Sequence, residues 1–506
     1  MVIFRMETYC TAGYNGNNED QKKVGGQMKH KAVYNPYLPC WEYIPDGEPH
    51  VFEGRVWVYG SHDRPGGDRY CMEDYVVWSA PEDDLTQWEC GGTIYKKADD
   101  PGIPNGEKLM LAPDVAKGPD GRYYLYYFLS DIKKISVAVS DTPGGRFKYY
   151  GDIRYPDGRL LDGGSPFDPG ILSDESGNWL YYGFCLARQS KRIPGGHLKG
   201  GYCVRLADDM ITICSKPAEV LPGAAAAKGT PYEGHGFLEA SSIRHIRGRY
   251  YLVYSSEQGH ELCYAVSDHP DSGFEYGGVI ISNADVGYRE RTDPVNYMAN
   301  NHGGMVLIRD QWYIFYHRHT HQAQYSRQGC AEKIVIDEQG KIRQVEVTSC
   351  GLNQGALPAE GRYPSYIICG LRGPEGVLHL SSSVHRRESD PYLIEETRGD
   401  ESGMYVENLR AGAVCTVKYL EFSGKEKRAG IKYRGGFSGT VKILVREKDD
   451  PGLWYPVSKI RINSKGESAA WKTVEAELES LKGVYTVYFE ISGQGILEWK
   501  EFSFLS

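Results

Sequence analysis

Asp46, Asp168 and Glu239 each stand eight or nine residues ahead of a short aromatic stretch, at matching places of an internal repeat. Three carboxyl groups brought to one place have the chemistry of glycosidic-bond hydrolysis. One carboxylate takes a proton from the attacking water, and one carboxylic acid protonates the leaving oxygen; in an inverting pair they stand roughly 6.5–9.5 Å apart. A third carboxylate beside the acid keeps it protonated, because like charges close together raise a pKa. Asp114 and His302 hold the same place in two further units, seven and eight residues ahead of their strands. Asp114 is expected to bond backbone amides near the axis, and His302 to face a hydrated cation such as Ca2+. Taken singly, Asp46 in Pro45-Asp46-Gly47 and Asp168 before Pro169 also read as turn aspartates, and His302 as a satisfied polar group. Glu239 differs: between Leu238 and small residues, just ahead of an apolar strand, a solvated charge is out of place.

The elements that must position these groups read GRVWVYG from Gly54, GRYYLYYF from Gly121, GNWLYYGF from Gly177, GRYYLVYSS from Gly248 and DQWYIFYHR from Asp310. They begin 67, 56, 71 and 62 residues apart, a period suited to four-stranded blades with variable loops around an axis. In such a ring, residues at equivalent places face one central site. A second echo supports the repeat: SVAVSDTPGGRF from Ser136 and YAVSDHPDSGF from Tyr264 share a strand, a Ser-Asp-x-Pro turn and a closing aromatic. The fold expected is all-β: an N-terminal arm (1–30), a five-bladed β-propeller (31–353), a linker (354–364) and a β-sandwich, jelly-roll-like (365–506). Tyrosine, numbering 39 against 14 Phe, suits strands and sugar-stacking surfaces, since its ring buries while its tip stays polar.

The formal charge of −9, without a basic stripe, argues against a nucleic-acid partner. No apolar run approaches the roughly 20 residues of a membrane span. The start, MVIFRMETYC, lacks the basic-then-apolar layout of a signal peptide. The twelve cysteines are scattered singly, and several fall inside strands, where a thiol serves as a small hydrophobe. A reducing, cytoplasmic location is the expectation. The oligomeric state stays open.

These residues resemble glycoside hydrolase family 43. NPYLPCWEYIPDGEPHVF looks like that family's opening segment, LAPDVAKGPDGRYYLYY its Ala-Pro-Asp strand, SPFDPGILSDESG the segment of its pKa-modulating Asp, FLEASSIRHIRGRYYLVYSS that of its general acid, and NNHGGMV that of a His reaching an axial ion. The resemblance covers about residues 31–353. It implies a five-bladed propeller with Asp46 as general base, Asp168 as modulator, Glu239 as general acid and His302 toward a structural Ca2+, with no cofactor needed for the chemistry. The C-terminal part resembles a family 6 carbohydrate-binding module, with Trp454 its candidate stacking residue. For the substrate, Trp41 is expected to form an aromatic wall, and Arg318, or else Arg291, to hydrogen-bond a sugar hydroxyl. The activity implied is inverting, exo-acting release of terminal α-L-arabinofuranose or β-D-xylose from plant-derived oligosaccharides. An endo-arabinanase and a non-catalytic sugar-binding protein are the alternatives.

Overall fold

The computed structural model describes residues 33–162, 164–185, 199–396, 403–450, 452–464 and 469–506. The arm expected over 1–30 lies outside them. Four four-stranded antiparallel sheets and one three-stranded sheet follow in chain order. Blade one holds β1 (Glu48–Phe52), β2 (Arg55–Tyr59), β3 (Tyr75–Pro81) and β4 (Glu89–Tyr95). Blade two holds β5 (Asp114–Lys117), β6 (Tyr123–Phe128), β7 (Ile135–Ser140) and β8 (Lys148–Asp152). Blade three holds β9 (Gly170–Asp174), β10 (Gly177–Tyr182), β11 (Gly200–Leu206) and β12 (Ala218–Pro222). Blade four holds β13 (Phe237–Ile246), β14 (Arg249–Ser256), β15 (Glu261–Ser267) and β16 (Glu275–Ser282), and blade five β17 (Met305–Ile308), β18 (Gln311–His319) and β19 (Arg327–Ile334). The chain is an all-β protein, a five-bladed propeller followed by a β-sandwich.

The recurring glycine ahead of the strand cores is a turn residue. Gly54, Gly121 and Gly248 carry φ of 74°, 84° and 77°, turning the first hairpin of their blades through a left-handed conformation that a Cβ disfavours. The aromatic cores that follow are buried on both faces, since alternate residues feed opposite inter-blade cores. Tyr123, Leu125 and Tyr127 of β6 pack against blade one, while Tyr124 and Tyr126 pack against blade three. Tyr251 and Val253 of β14 face blade five, and Leu252 and Tyr254 face blade three. A fifth core joins Val56 and Val58 to Tyr313 and Phe315, closing the ring. Closure is reinforced by the incoming chain: Asn35 exchanges hydrogen bonds with Ala331 on β19, and the Tyr37 amide donates to Gly329. The Ser-Asp-x-Pro turns behave alike, Ser140 and Ser267 hydroxyls accepting the amides of Thr142 and His269.

The sandwich consists of two six-stranded sheets around one core that includes Trp499, Phe489, Phe502 and Phe504. Here the segment read as a linker is corrected. Leu357–Pro358 pairs with Val414–Ser423, and Gly361–Pro364 pairs with Leu497–Leu505. Pro358 and Pro364 end edge strands, where a missing N–H is tolerated. Trp454 lies between Tyr488, with ring centroids 3.7 Å apart, and the Arg446 guanidinium at 4.6 Å. The two units are joined by buried polar contacts. Lys418 Nζ reaches Asp285 at 2.5 Å and Glu346 at 3.0 Å, and Arg386 donates to the carbonyls of His319 and His321.

Candidate active site

Asp46, Asp168 and Glu239 each stand where the chain enters an inner strand, and each of these three entries is a backbone irregularity. Asp46 and Asp168 precede β1 and β9 with φ of 55° and 43°, the left-handed region that aspartate tolerates better than most residues. Glu239 sits in a bulge of β13 where the pairing register shifts on both sides, and Ala240 beside it has φ 69°. These bends turn three side chains toward one end of the axis. β18 runs antiparallel to β17, so its last residues and the first of β19 return to that same end.

Asp46 is buried and densely held. Its Oδ1 receives Arg327 Nη1 at 2.7 Å, its Oδ2 receives the Ser61 hydroxyl at 2.6 Å, and its backbone amide donates to His317 Nδ1 at 3.3 Å. His317 Nε2 and His319 Nε2 each donate to the Asn300 carbonyl at 2.9 Å, which leaves His317 Nδ1 free to accept. Arg327 also grips Asp63 through Nε at 2.8 Å and Nη2 at 3.0 Å, and its guanidinium lies 4.6 Å from the centre of the Tyr70 ring. Tyr70 packs edge-on against Tyr325 with centroids 4.7 Å apart. Beside this, His302 Nδ1 approaches Asp168 Oδ2 at 3.6 Å, and the Ala240 amide donates to Asp168.

The three environments push the carboxyls apart. Burial would raise Asp46, but Arg327, His317, His302 and the Ser61 hydroxyl prevail and hold it at about 2. Burial and the charge of Asp46 raise Glu239 to about 7, against the pull of Arg327. Burial, Glu239 and Asp46 raise Asp168 well above the usual carboxylate range. The Asp168–Glu239 pair therefore keeps a proton at neutral pH while Asp46 stays ionised. Glu239 is also the least enclosed of the three, being half-buried where both aspartates are buried. One ionised carboxylate beside a protonated pair can move protons in opposite directions on one substrate.

Asp114 accepts the amides of Val115 and Ile171, tying the inner strand of blade two to that of blade three. His302 is buried; burial and Arg327 lower it to about 4 despite Asp46, so it is a neutral imidazole. Its Nε2 lies 3.9 Å from Glu48 Oε1, a buried oxygen without a hydrogen-bond partner, whose companion Oε2 takes Arg244 at 3.1 Å. Trp41 is 40% exposed and packs on Trp78 with centroids 5.9 Å apart.

Two of the expected sugar-binding residues lie elsewhere. Arg318 is buried, its Nε against Cys330 Sγ at 3.2 Å and its Nη1 donating to the Ile368 carbonyl at 2.9 Å. Strand alternation is the reason: His317 and His319 share the face toward Asp46 and Asn300, so Arg318 between them faces the sandwich. Arg291 sits in the Gly287–Arg291 turn, its backbone bonded to Gly287 and Tyr288, and none of its described contacts is with the three carboxylates. The arginine that does reach the site, Arg327, was missed along with Asp63, Ser61 and His317. The available signal was the His317-x-His319 alternation, which marks the face of β18 turned toward Asp46.

Residues 52–342 match the family described as Glycosyl hydrolases family 43, a span that contains Asp168, Glu239 and His302 and begins six residues after Asp46. The chain is 43% identical over 482 residues to a xylosidase/arabinosidase of Thermoclostridium stercorarium, covering 94% of this chain and 99% of that one. It is 28% identical to a beta-xylosidase of Xylanibacter ruminicola, covering 63% of this chain and all of the other. Among solved structures, the GH43_1 enzyme of Xanthomonas citri complexed with xylose aligns with TM-score 0.50 and 26% identity, over 64% of this chain and 96% of that one.

Proposed function

The chain belongs to glycosyl hydrolases family 43, and we propose that it is an inverting, exo-acting glycosidase releasing terminal α-L-arabinofuranose or β-D-xylose from plant-derived oligosaccharides. The observation that carries this reading is the split among the three axial carboxyls: Asp46 held ionised at about 2, Glu239 raised to about 7 beside Asp168. The xylosidase and arabinosidase names of the relatives support the pentose.

In this mechanism Asp46 accepts a proton from the water that attacks the anomeric carbon. Glu239 gives its proton to the departing glycosidic oxygen, and Asp168, bonded to the amide next to Glu239, keeps the acid protonated and placed. Displacement by water on the face opposite the leaving group inverts the anomeric centre. Arg327 fixes Asp46 and offers positive charge to a ring hydroxyl, while Tyr70 and Tyr325, and the exposed Trp41, are the aromatic surfaces proposed for the sugar. No cofactor enters these steps. The neutral imidazole of His302 and the unpartnered Glu48 oxygen suit a hydrated cation at the axis, water completing a shell that two protein donors leave open. No disulfide joins cysteines among the described residues, which supports work in a reducing compartment on imported oligosaccharides.

The test is a hydrolysis screen on 4-nitrophenyl α-L-arabinofuranoside, β-D-xylopyranoside and β-D-galactofuranoside and on polymeric arabinan, the product anomer being read by NMR before it mutarotates. Release of one or both pentoses with inverted configuration, lowered at least about a thousandfold in Asp46→Asn, is expected. Retained configuration, or an undiminished variant, overturns the mechanism. Release only from polymeric arabinan identifies an endo-acting enzyme.

A further inference from the structure

Away from the carboxylate site, blade four gathers three unlike metal-ligating side chains at one point. Glu261 and Cys263 stand two apart on β15 and so leave the same face of the sheet. The chain leading into β13 lays His235 across them. His235 Nδ1 lies 2.6 Å from Glu261 Oε1 and 3.9 Å from Cys263 Sγ, and Sγ lies 3.5 Å from the same carboxylate oxygen. With metal–ligand bonds of about 2.0–2.3 Å at tetrahedral angles, ligand atoms stand roughly 3.3–3.6 Å apart. The two edges to sulfur are already close to that spacing. The third is short because a proton bridges imidazole and carboxylate, and it widens when an ion takes the proton's place.

The ligands are held in position. His235 stacks on Tyr276 at 5.3 Å and 16°, its carbonyl accepts the Tyr254 hydroxyl at 2.9 Å, and the Ser256 hydroxyl donates to Glu261 Oε1 at 2.6 Å. Glu261 and Cys263 are buried, whereas the His235 side chain is 33% exposed, so the cluster opens to solvent on one side. Two other groups of this kind occur among the described residues, Glu48–His50–Asp114 and Asp174–Glu175–His245, and neither contains sulfur.

We propose that His235, Glu261 and Cys263 form a binding site for a thiophilic divalent cation of the zinc class, with water in the fourth position. Loading releases two protons to solvent, the thiol proton of Cys263 and the one shared by His235 and Glu261, and the two charges of the ion balance the thiolate and the Glu261 carboxylate. His235 lies four residues ahead of Glu239, and Gly236 between them is bonded in both directions to Glu257. Loading therefore ties the lead-in of the general acid to β15.

The probe is Co2+ added to the metal-free full chain, followed by displacement with Zn2+. About one equivalent of Co2+ should produce thiolate-to-cobalt charge transfer in the near ultraviolet and tetrahedral bands in the visible. The charge-transfer band should vanish in Cys263→Ser and persist in Cys214→Ser, whose thiol is exposed. Zn2+ binding should weaken about a hundredfold or more in His235→Asn and in Glu261→Gln, which carry the test if Cys263→Ser fails to fold. Absence of the band in the unaltered chain, its persistence in Cys263→Ser, or unchanged Zn2+ affinity in the His235 and Glu261 variants overturns the site.

Discussion

Arg327 spreads one guanidinium over two buried carboxylates, Asp46 and Asp63, and lays its face on Tyr70. Replacing it with Met removes the charge that outweighs burial at Asp46, so the acidic limb of the pH–rate profile should move up from about 2. We expect kcat/KM to fall about 10²–10³-fold, the scale of losing one charge-assisted contact in a closed site. The basic limb belongs to the Asp168–Glu239 pair. Glu239 works only when protonated, so the rate should decline as pH rises through about 7, whereas Asp46 must stay ionised and sets no limit until near 2. Asp168→Asn leaves Glu239 to titrate without the second carboxyl of the coupled pair, and the basic limb should move to lower pH. A limb that stays in place would mean that Asp168 does not govern the acid.

At the scale of the element, β18 sorts its residues by parity, and one step along it separates a site residue from an interface residue. Arg318→Met should leave both pH limbs unchanged and lower stability by about 1–3 kcal/mol, since the Ile368 carbonyl loses its donor. Urea denaturation alongside a pH–rate profile distinguishes this from the Arg327 variant. The strand cores, the hairpin glycines and the carboxylates at the strand entries were legible because they repeat, and a repeat exposes shared geometry without any contact being known. The parity of β18 was not read, because arginine type and nearness to a strand end carry no direction. Residues 354–364 looked like a linker for a related reason: edge strands of two and four residues are too short to show alternation.

At the scale of the whole molecule, propeller and sandwich share a buried charge cluster, with Lys418 between Asp285 and Glu346 and Tyr419 bonded to Glu346. Lys418→Met leaves the buried Asp285 and the half-buried Glu346 without this cation and should cost about 3–5 kcal/mol, read as a lowered urea midpoint. A sandwich loop meanwhile reaches the rim, the Leu380 amide donating to the Met298 carbonyl and Arg386 stacking on Tyr297 at 3.8 Å from its ring centre. The all-β class, the five-fold repeat and the three carboxylates follow from the chain alone, because periodic spacing and residue chemistry are local properties that need no folded contact. Folding settled which arginine meets Asp46 and how the sandwich seats against blade five. It also decided that His235 lies on Glu261 and Cys263. Each of these joins residues far apart in the chain or separated by a turn, and their meeting depends on strand parity, loop direction and ring closure, which no short stretch encodes.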